Sequence, residues 1–246
     1  MNINSVTINF WFKELLESPS KKVLELEESL NSILHNNFMY SDMPVGDSID
    51  IPRVQCISED KKNYFTMSLV SCNLNIDVKD LDNDEIVLLI NEDIQILYDV
   101  LKDLYNLDII YSSIKFEATK EDRKVVDKMI KKLSLDNKDY EDLSFKEVRK
   151  IDNSYYECIV TSSSKEINFD IPLTTSNPKE TDLYARSMLI STSEANIGKT
   201  MITVNYEIND RLSFNNNKDY LCTKETIRGL IIELKNFINK ELNKLL

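Results

Sequence analysis

Residues 51–77, IPRVQCISEDKKNYFTMSLVSCNLNID, decide how the chain is read. Apolar and polar residues alternate on both sides of EDKKN, which is turn chemistry, so the spacing predicts a hairpin of strands 53–58 and 64–77. Strands that are neighbours in sequence and joined by a short turn pair antiparallel.

Working outward, Val6, Ile8, Phe10 and Phe12 alternate with Thr7, Asn9 and Trp11, predicting an opening strand. Val23, Leu26, Leu30 and Ile33 follow Pro19 and Ser20 at helical spacing, and a polar stretch with Pro44, Gly46 and Pro52 reads as loop. After Leu81, the stripe Ile86, Ile90, Ile94, Leu97, Leu101 and Leu104 predicts a long helix. Residues 109–118 return to strand. Thr119 is placed to cap a helix carrying Val126, Met129, Ile130 and Leu133. From Phe145 the text turns β-rich, with strands expected at 155–161, 167–173, 185–192 and 201–208. A last helix from Thr223 turns Ile227, Leu230, Ile231, Leu234, Ile238 and Leu242 inward.

The expected class is α+β: mostly antiparallel sheets, with two long amphipathic helices covering one face. Strand, helix, several strands, long helix describes the chain twice, giving halves 1–107 and 108–246 packed as one compact unit. LNIDVKD ending at Asp80 echoes VNYEIND ending at Asp210, and VLKDLYN ending at Asn106 echoes ELKNFIN ending at Asn239. Duplication and chance likeness both remain open. A true duplication would set the halves about a pseudo-two-fold axis.

Composition excludes a good deal. At about 7% glycine a chain this long would hold roughly 17; this one holds Gly46, Gly198 and Gly229. No dinucleotide-binding turn can be built from them. The single His35 supplies no two-histidine zinc site, and Cys56, Cys72, Cys158 and Cys222 form no close pair. No cofactor and no metal is expected. Three of the four cysteines sit in strand-like text, where a free thiol packs as a small apolar group. With no leader-like start and no apolar run near 20 residues, the chain reads as cytoplasmic and away from membranes.

Three motifs tempt and fail. Gly198-Lys199-Thr200 resembles the end of a phosphate loop, but Ser193 stands where its first glycine belongs and a strand, not a helix, is expected to follow. Asp80, Asp82 and Asp84 have calcium-loop spacing, yet Glu85 and Asn91 occupy the positions that need glycine and a bidentate glutamate. They read better as the carboxylates of a helix start. The basic run Lys120, Arg123, Lys124, Lys128, Lys131 and Lys132 is diluted by Glu121, Asp122 and Asp127, and reads as a solvated helix face.

The net charge is −12, from 42 acidic and 30 basic residues. Residues 77–108 hold ten of the acids against Lys79 and Lys102. Such a field attracts basic partners and repels nucleic acid. Asp77, Asp80, Asp82, Asp84 and Glu85 are therefore the candidate partner-binding residues.

The opening strand, the 51–77 hairpins, the long helix and the strand leading into the basic run resemble a sporadically distributed bacterial family of uncharacterised proteins near this length. That resemblance implies an α+β fold and transfers no site residues, and the family's patchy distribution is similar to that of mobile-element and defence genes.

The expected function is that of an interaction protein, without catalysis, docking a basic protein partner through its acidic surface, with nucleic acid excluded. A hydrolase or transferase using carboxylates in a cleft between the halves is the alternative, and an acidic nucleic-acid mimic is a third. Edge strands leave a homodimer open.

Overall fold

The computed structural model describes residues 2–17, 19–34, 37–41, 48–120, 142–151, 154–166 and 200–242. Among these, nine strands form one antiparallel sheet. They are β1 (Asn2–Phe12), β2 (Phe38–Ser41), β3 (Val54–Ser58), β4 (Tyr64–Met67), β5 (Ser71–Asp77), β6 (Ile109–Lys120), β7 (Asp142–Ile151), β8 (Ser154–Glu166) and β9 (Thr200–Asn209). Their order across the sheet is β2-β3-β4-β5-β1-β6-β9-β8-β7. Both sequence halves thus share one sheet, joined where β1 pairs with β6.

Among the described residues four α-helices accompany it: α1 (Val23–Leu34), α2 (Asn83–Tyr105), α3 (Arg211–Asn216) and α4 (Lys224–Asn236). A 3-10 turn, Pro19–Lys22, leads into α1, and the Tyr105 hydroxyl at the far end of α2 donates to the Pro19 carbonyl at 3.1 Å. The core lies between one sheet face and the layer of α1, α2 and α4. Val6, Ile8 and Phe10 point into it from β1, Leu26 and Leu30 from α1, Ile90, Ile94 and Leu97 from α2, and Ile227 and Leu230 from α4, all fully buried. Phe10 meets Tyr98 of α2 edge-on at 6.3 Å, and Phe237 stacks on Tyr206 of β9 at 3.7 Å. The period-2 and period-3.6 patterns meet in this one layer.

Four expectations are corrected. The strand expected at 64–77 is two strands, because Ser68 closes a turn: its amide donates to the Ser71 carbonyl at 2.8 Å, and its hydroxyl accepts from the Val70 and Ser71 amides. The loop expected before Pro52 contains β2, which pairs Phe38–Ser41 with β3. Thr119 and Lys120 belong to β6, and the Thr119 hydroxyl is engaged by Asn4 of β1 at 3.1 Å instead of capping a helix. The last helix keeps α geometry only to Asn236 and continues as a π-helical turn, Phe237–Leu242, where Phe237 seats on Tyr206 and Phe116. The helix expected after Thr119, the strands at 167–173 and 185–192, His35, and Gly198 with Lys199 lie outside the described residues. Thr200 opens β9, so a strand does follow the glycine.

With glycine so scarce, the left-handed positions fall to other residues: Lys61 (φ 60°) in the β3–β4 turn and Asn106 (φ 51°) at the end of α2. No described helix is long and apolar enough to cross a membrane.

Candidate functional site

The five acidic candidates fall between the end of β5 and the first turn of α2. Asp82 is the N-cap of α2: its carboxylate accepts from the Asp84 and Glu85 amides at 2.9 Å, while Glu85 returns a bond from the Asp82 amide at 2.8 Å. This reciprocal box meets orphan amides of the first turn. Asp77 accepts from the Lys79 amide at 3.1 Å. Lys79, Leu81, Asp82 and Asp84 line a hollow of about 500 Å³ with Asn239. Further along the acidic stretch, Asp99 pairs with Lys224 at 2.6 Å and Asp108 with Lys102 at 2.9 Å. Asp93 is buried, and one of its oxygens has no hydrogen-bond partner. Burial, with Glu92 nearby, pushes its carboxyl up to about 7. The stretch is therefore less bare of countercharge than its letters suggest.

Sequence reading passed over the other sheet face. Opposite the core, β5, β1, β6 and β9 present Asn73, Asn75, Thr7, Asn9, Lys115, Glu117, Asn205 and Glu207 in matched rows. In one row Asn75, Thr7, Lys115 and Glu207 are successive partners. The Asn75 amide donates to the Thr7 hydroxyl at 2.9 Å, and Lys115 pairs with Glu207 at 3.0 Å. In the next row Asn73 donates to Asn9 at 2.7 Å, and Asn9 to Ser113 at 3.0 Å. Around the junction of the halves these residues line a hollow of about 440 Å³, with Ser5, Thr7 and Asn75 from one side and Lys115, Glu117, Asn205 and Glu207 from the other.

At one end of the same face stands an aromatic group. Trp11 and Tyr111 are register partners across the β1–β6 seam, with rings stacked at 4.4 Å. Phe214 of α3 lies 6.0 Å from Tyr111. The Arg211 guanidinium stands over Tyr111 at 5.7 Å and the Lys218 ammonium over Phe214 at 4.2 Å. Trp11 also borders a hollow of about 370 Å³ on its β5 side, lined by Asn9, Asn73, Thr66, Tyr64 and Asp50. Alternation around Trp11 was visible in the letters, but the fact that its face stays largely uncovered among the described residues was not.

A third cluster is wholly interior. Asp210 is fully buried, accepting from the Ser112 amide at 2.6 Å and the Tyr220 hydroxyl at 2.7 Å. Burial raises its carboxyl to about 6 against the lowering effect of those bonds. It ties the start of β6 to the loop before α4, where Cys222 lies beside Ser112 at 3.4 Å. Among the described residues no group of three potential ligands is placed to hold a metal ion.

No family model matches the chain, and no curated protein matches it. A similar solved structure is that of the rolling circle replication initiator protein from Geobacillus stearothermophilus, at 9% identity and a TM-score of 0.29, covering 95% of each chain. The exclusion of nucleic acid read from net charge is withdrawn on physical grounds. The physical flaw in that exclusion is that charge is partitioned. Helices α1 and α2 carry nine carboxylates and one cation, Lys102. The open face and its margin carry Lys115, Lys146, Lys150, Arg211 and Lys218 against Asp77, Glu117, Glu157 and Glu207, with Lys115 paired to Glu207 and Lys146 to Glu157, so this side is close to neutral. A sum over the chain describes neither side.

Proposed function

We propose that this chain is an interaction protein whose working surface is the open face of the sheet. The observation that carries this reading is the uncovered face itself, among the described residues: amide and hydroxyl rows, a two-sided hollow at the junction, and aromatic rings half-exposed at one end. Polar side chains there are tied to one another across strands, so the surface is held ready before any partner arrives.

We also read the two halves as copies. The offset of 130 residues between the echoed segments places Ile76 over Tyr206 and Leu74 over Val204. Ile76 pairs with Val6, and Tyr206 with Phe116, so Val6 corresponds to Phe116. Those two residues are direct partners near the middle of the β1–β6 ladder, where a pseudo-two-fold axis would have to pass. Asn75 then corresponds to Asn205, and both line the junctional hollow.

The test is affinity capture from the native host at low ionic strength with three baits. The bait Thr7→Glu/Asn205→Glu, altered on the open face, should lose what the unaltered chain captures. The bait Asp84→Asn/Glu92→Gln, altered on the helix layer, should keep it. Loss with the second bait and retention with the first would return the site to the acidic surface.

A second reading has a specific observation behind it: Glu117 and Glu207 flank Lys115 in the junctional hollow, the kind of cleft a carboxylate hydrolase or transferase needs. Turnover of an activated ester or glycoside, lost in Glu207→Gln with folding unchanged, would favour it.

A further inference from the structure

The Trp11 hollow has a more specific chemistry than the face around it. One side of the Trp11 ring is occupied by Tyr111 on β6; the hollow lies on the other side, towards β5 and β4. Its floor comes from Asn9 and Asn73, whose amides are fixed in orientation by the chain of bonds that ends at Ser113. Asn73 Oδ1 has no hydrogen-bond partner, although it is shielded from solvent. An acceptor left in this state costs free energy, and an incoming N–H group recovers it once the Asn73 side chain turns to expose the oxygen. Asp50 and Thr66 add further acceptors at the rim, and half-exposed Tyr64 closes the far side.

A flat ring, polar side chains on the floor and rim, and an open-sided hollow of about 370 Å³ together match an unstacked heterocyclic base. On the other side of Trp11 the aromatic series continues into Tyr111 and Phe214, each with a cation over it. Ser71, Trp11 and Tyr111 are successive register partners, so the hollow and the cations lie within a few strand spacings of about 4.8 Å. Stacking rings beside arginine and lysine are how proteins hold single strands, in which bases are free to leave the stack and phosphates follow alongside. A neutral sugar would also stack on tryptophan, but it gives Arg211 and Lys218 nothing to neutralise.

We propose that the open face binds single-stranded nucleic acid, with one base seated in the Trp11 hollow and the backbone passing Arg211 and Lys218. This rests on the reading of the open face as the working surface, and it names the partner.

Trp11 is the only tryptophan in the chain, so intrinsic fluorescence reports on the hollow directly. The full chain is titrated at low salt with 15-mers of deoxythymidylate and of uridylate, a duplex 15-mer, the matching mononucleotides and a neutral glucan. Either single strand should quench Trp11. The mononucleotides should bind far more weakly, because they lack the run of phosphates. Labelled-oligonucleotide anisotropy then follows the variants. Trp11→Leu should weaken binding roughly ten- to a hundredfold, with Trp11→Phe recovering most of the loss. Arg211→Gln/Lys218→Gln alters exposed side chains only, so it keeps the fold, and it should flatten the salt dependence by about 1.4 log units per log of salt. The proposal is overturned by no quenching with either strand, by duplex binding as tight as single-strand binding, by saturation with a mononucleotide at the same concentration, by quenching with the glucan, or by a double variant that binds as before. If the strands fail while Thr7→Glu/Asn205→Glu still loses its captured partner, the face stands and only this assignment of its ligand falls.

Discussion

Gly229 of α4 lies directly over Tyr156 of β8: a β carbon at that position would fall 2.7 Å from the ring carbon Cζ. Tyr156 is buried and donates its hydroxyl to the Thr226 carbonyl one turn earlier, at 3.1 Å. The helix thus reaches the sheet at its one residue without a side chain.

Gly229→Ala should therefore destabilise the protein by about 1–3 kcal/mol, even though alanine is the better helix former. Thermal unfolding followed by circular dichroism measures this. Tyr156→Phe removes the hydroxyl, so the double variant should lose less than the two single losses combined.

Asp93 predicts a pH effect of definite sign. Its folded carboxyl is raised from 3.8 to about 7, so the native state holds the proton where the unfolded chain releases it. Stability from this group is present below about pH 4 and is lost as pH rises towards 7. Asp93→Asn should gain about 1–3 kcal/mol at pH 8 and almost nothing at pH 4. Denaturant midpoints at the two pH values decide the matter, and an equal gain at both would show that the charge is not the cause.

The cap of α2 gives a smaller number. Asp82→Ala removes the acceptor for two amides and should cost about 1 kcal/mol, with Asp82→Ser recovering most of it. Chemical denaturation has the resolution to read this.

All four cysteines are buried, and none forms a disulfide. Burial pushes the Cys56 thiol up to about 12 and raises Cys72 and Cys222 as well. A thiol reagent at pH 8 should leave the native protein unlabelled and modify four sites in guanidinium. Rapid labelling of one site in the native state would place that cysteine at the surface.

How far the letters led depends on what each pattern measures. Alternation in β1 and the six-residue stripe of α2 were legible because periodicity reports directly which side of an element is apolar. The turn at Ser68 was hidden, since SLVS continues the β-favouring text and closes through one hydroxyl. β2 was hidden because four residues are too few to establish a period. The acidic candidates were found by charge, which letters carry. The open face was missed because Trp11, Asn9 and Thr7 look like any solvent-facing half of a strand until α1, α2 and α4 are seen to lie on the opposite side.

The β1–β6 seam has a consequence for biosynthesis. β1 occupies the centre of the sheet, yet its neighbour on one side begins only at Ile109. While the nascent chain is shorter than that, β1 is an exposed border with a full row of unmet amides and carbonyls. A polypeptide stopped at Leu107 would keep that border permanently. Two such halves should join border to border, antiparallel and about Val6, reproducing in trans the join that the complete chain makes within itself.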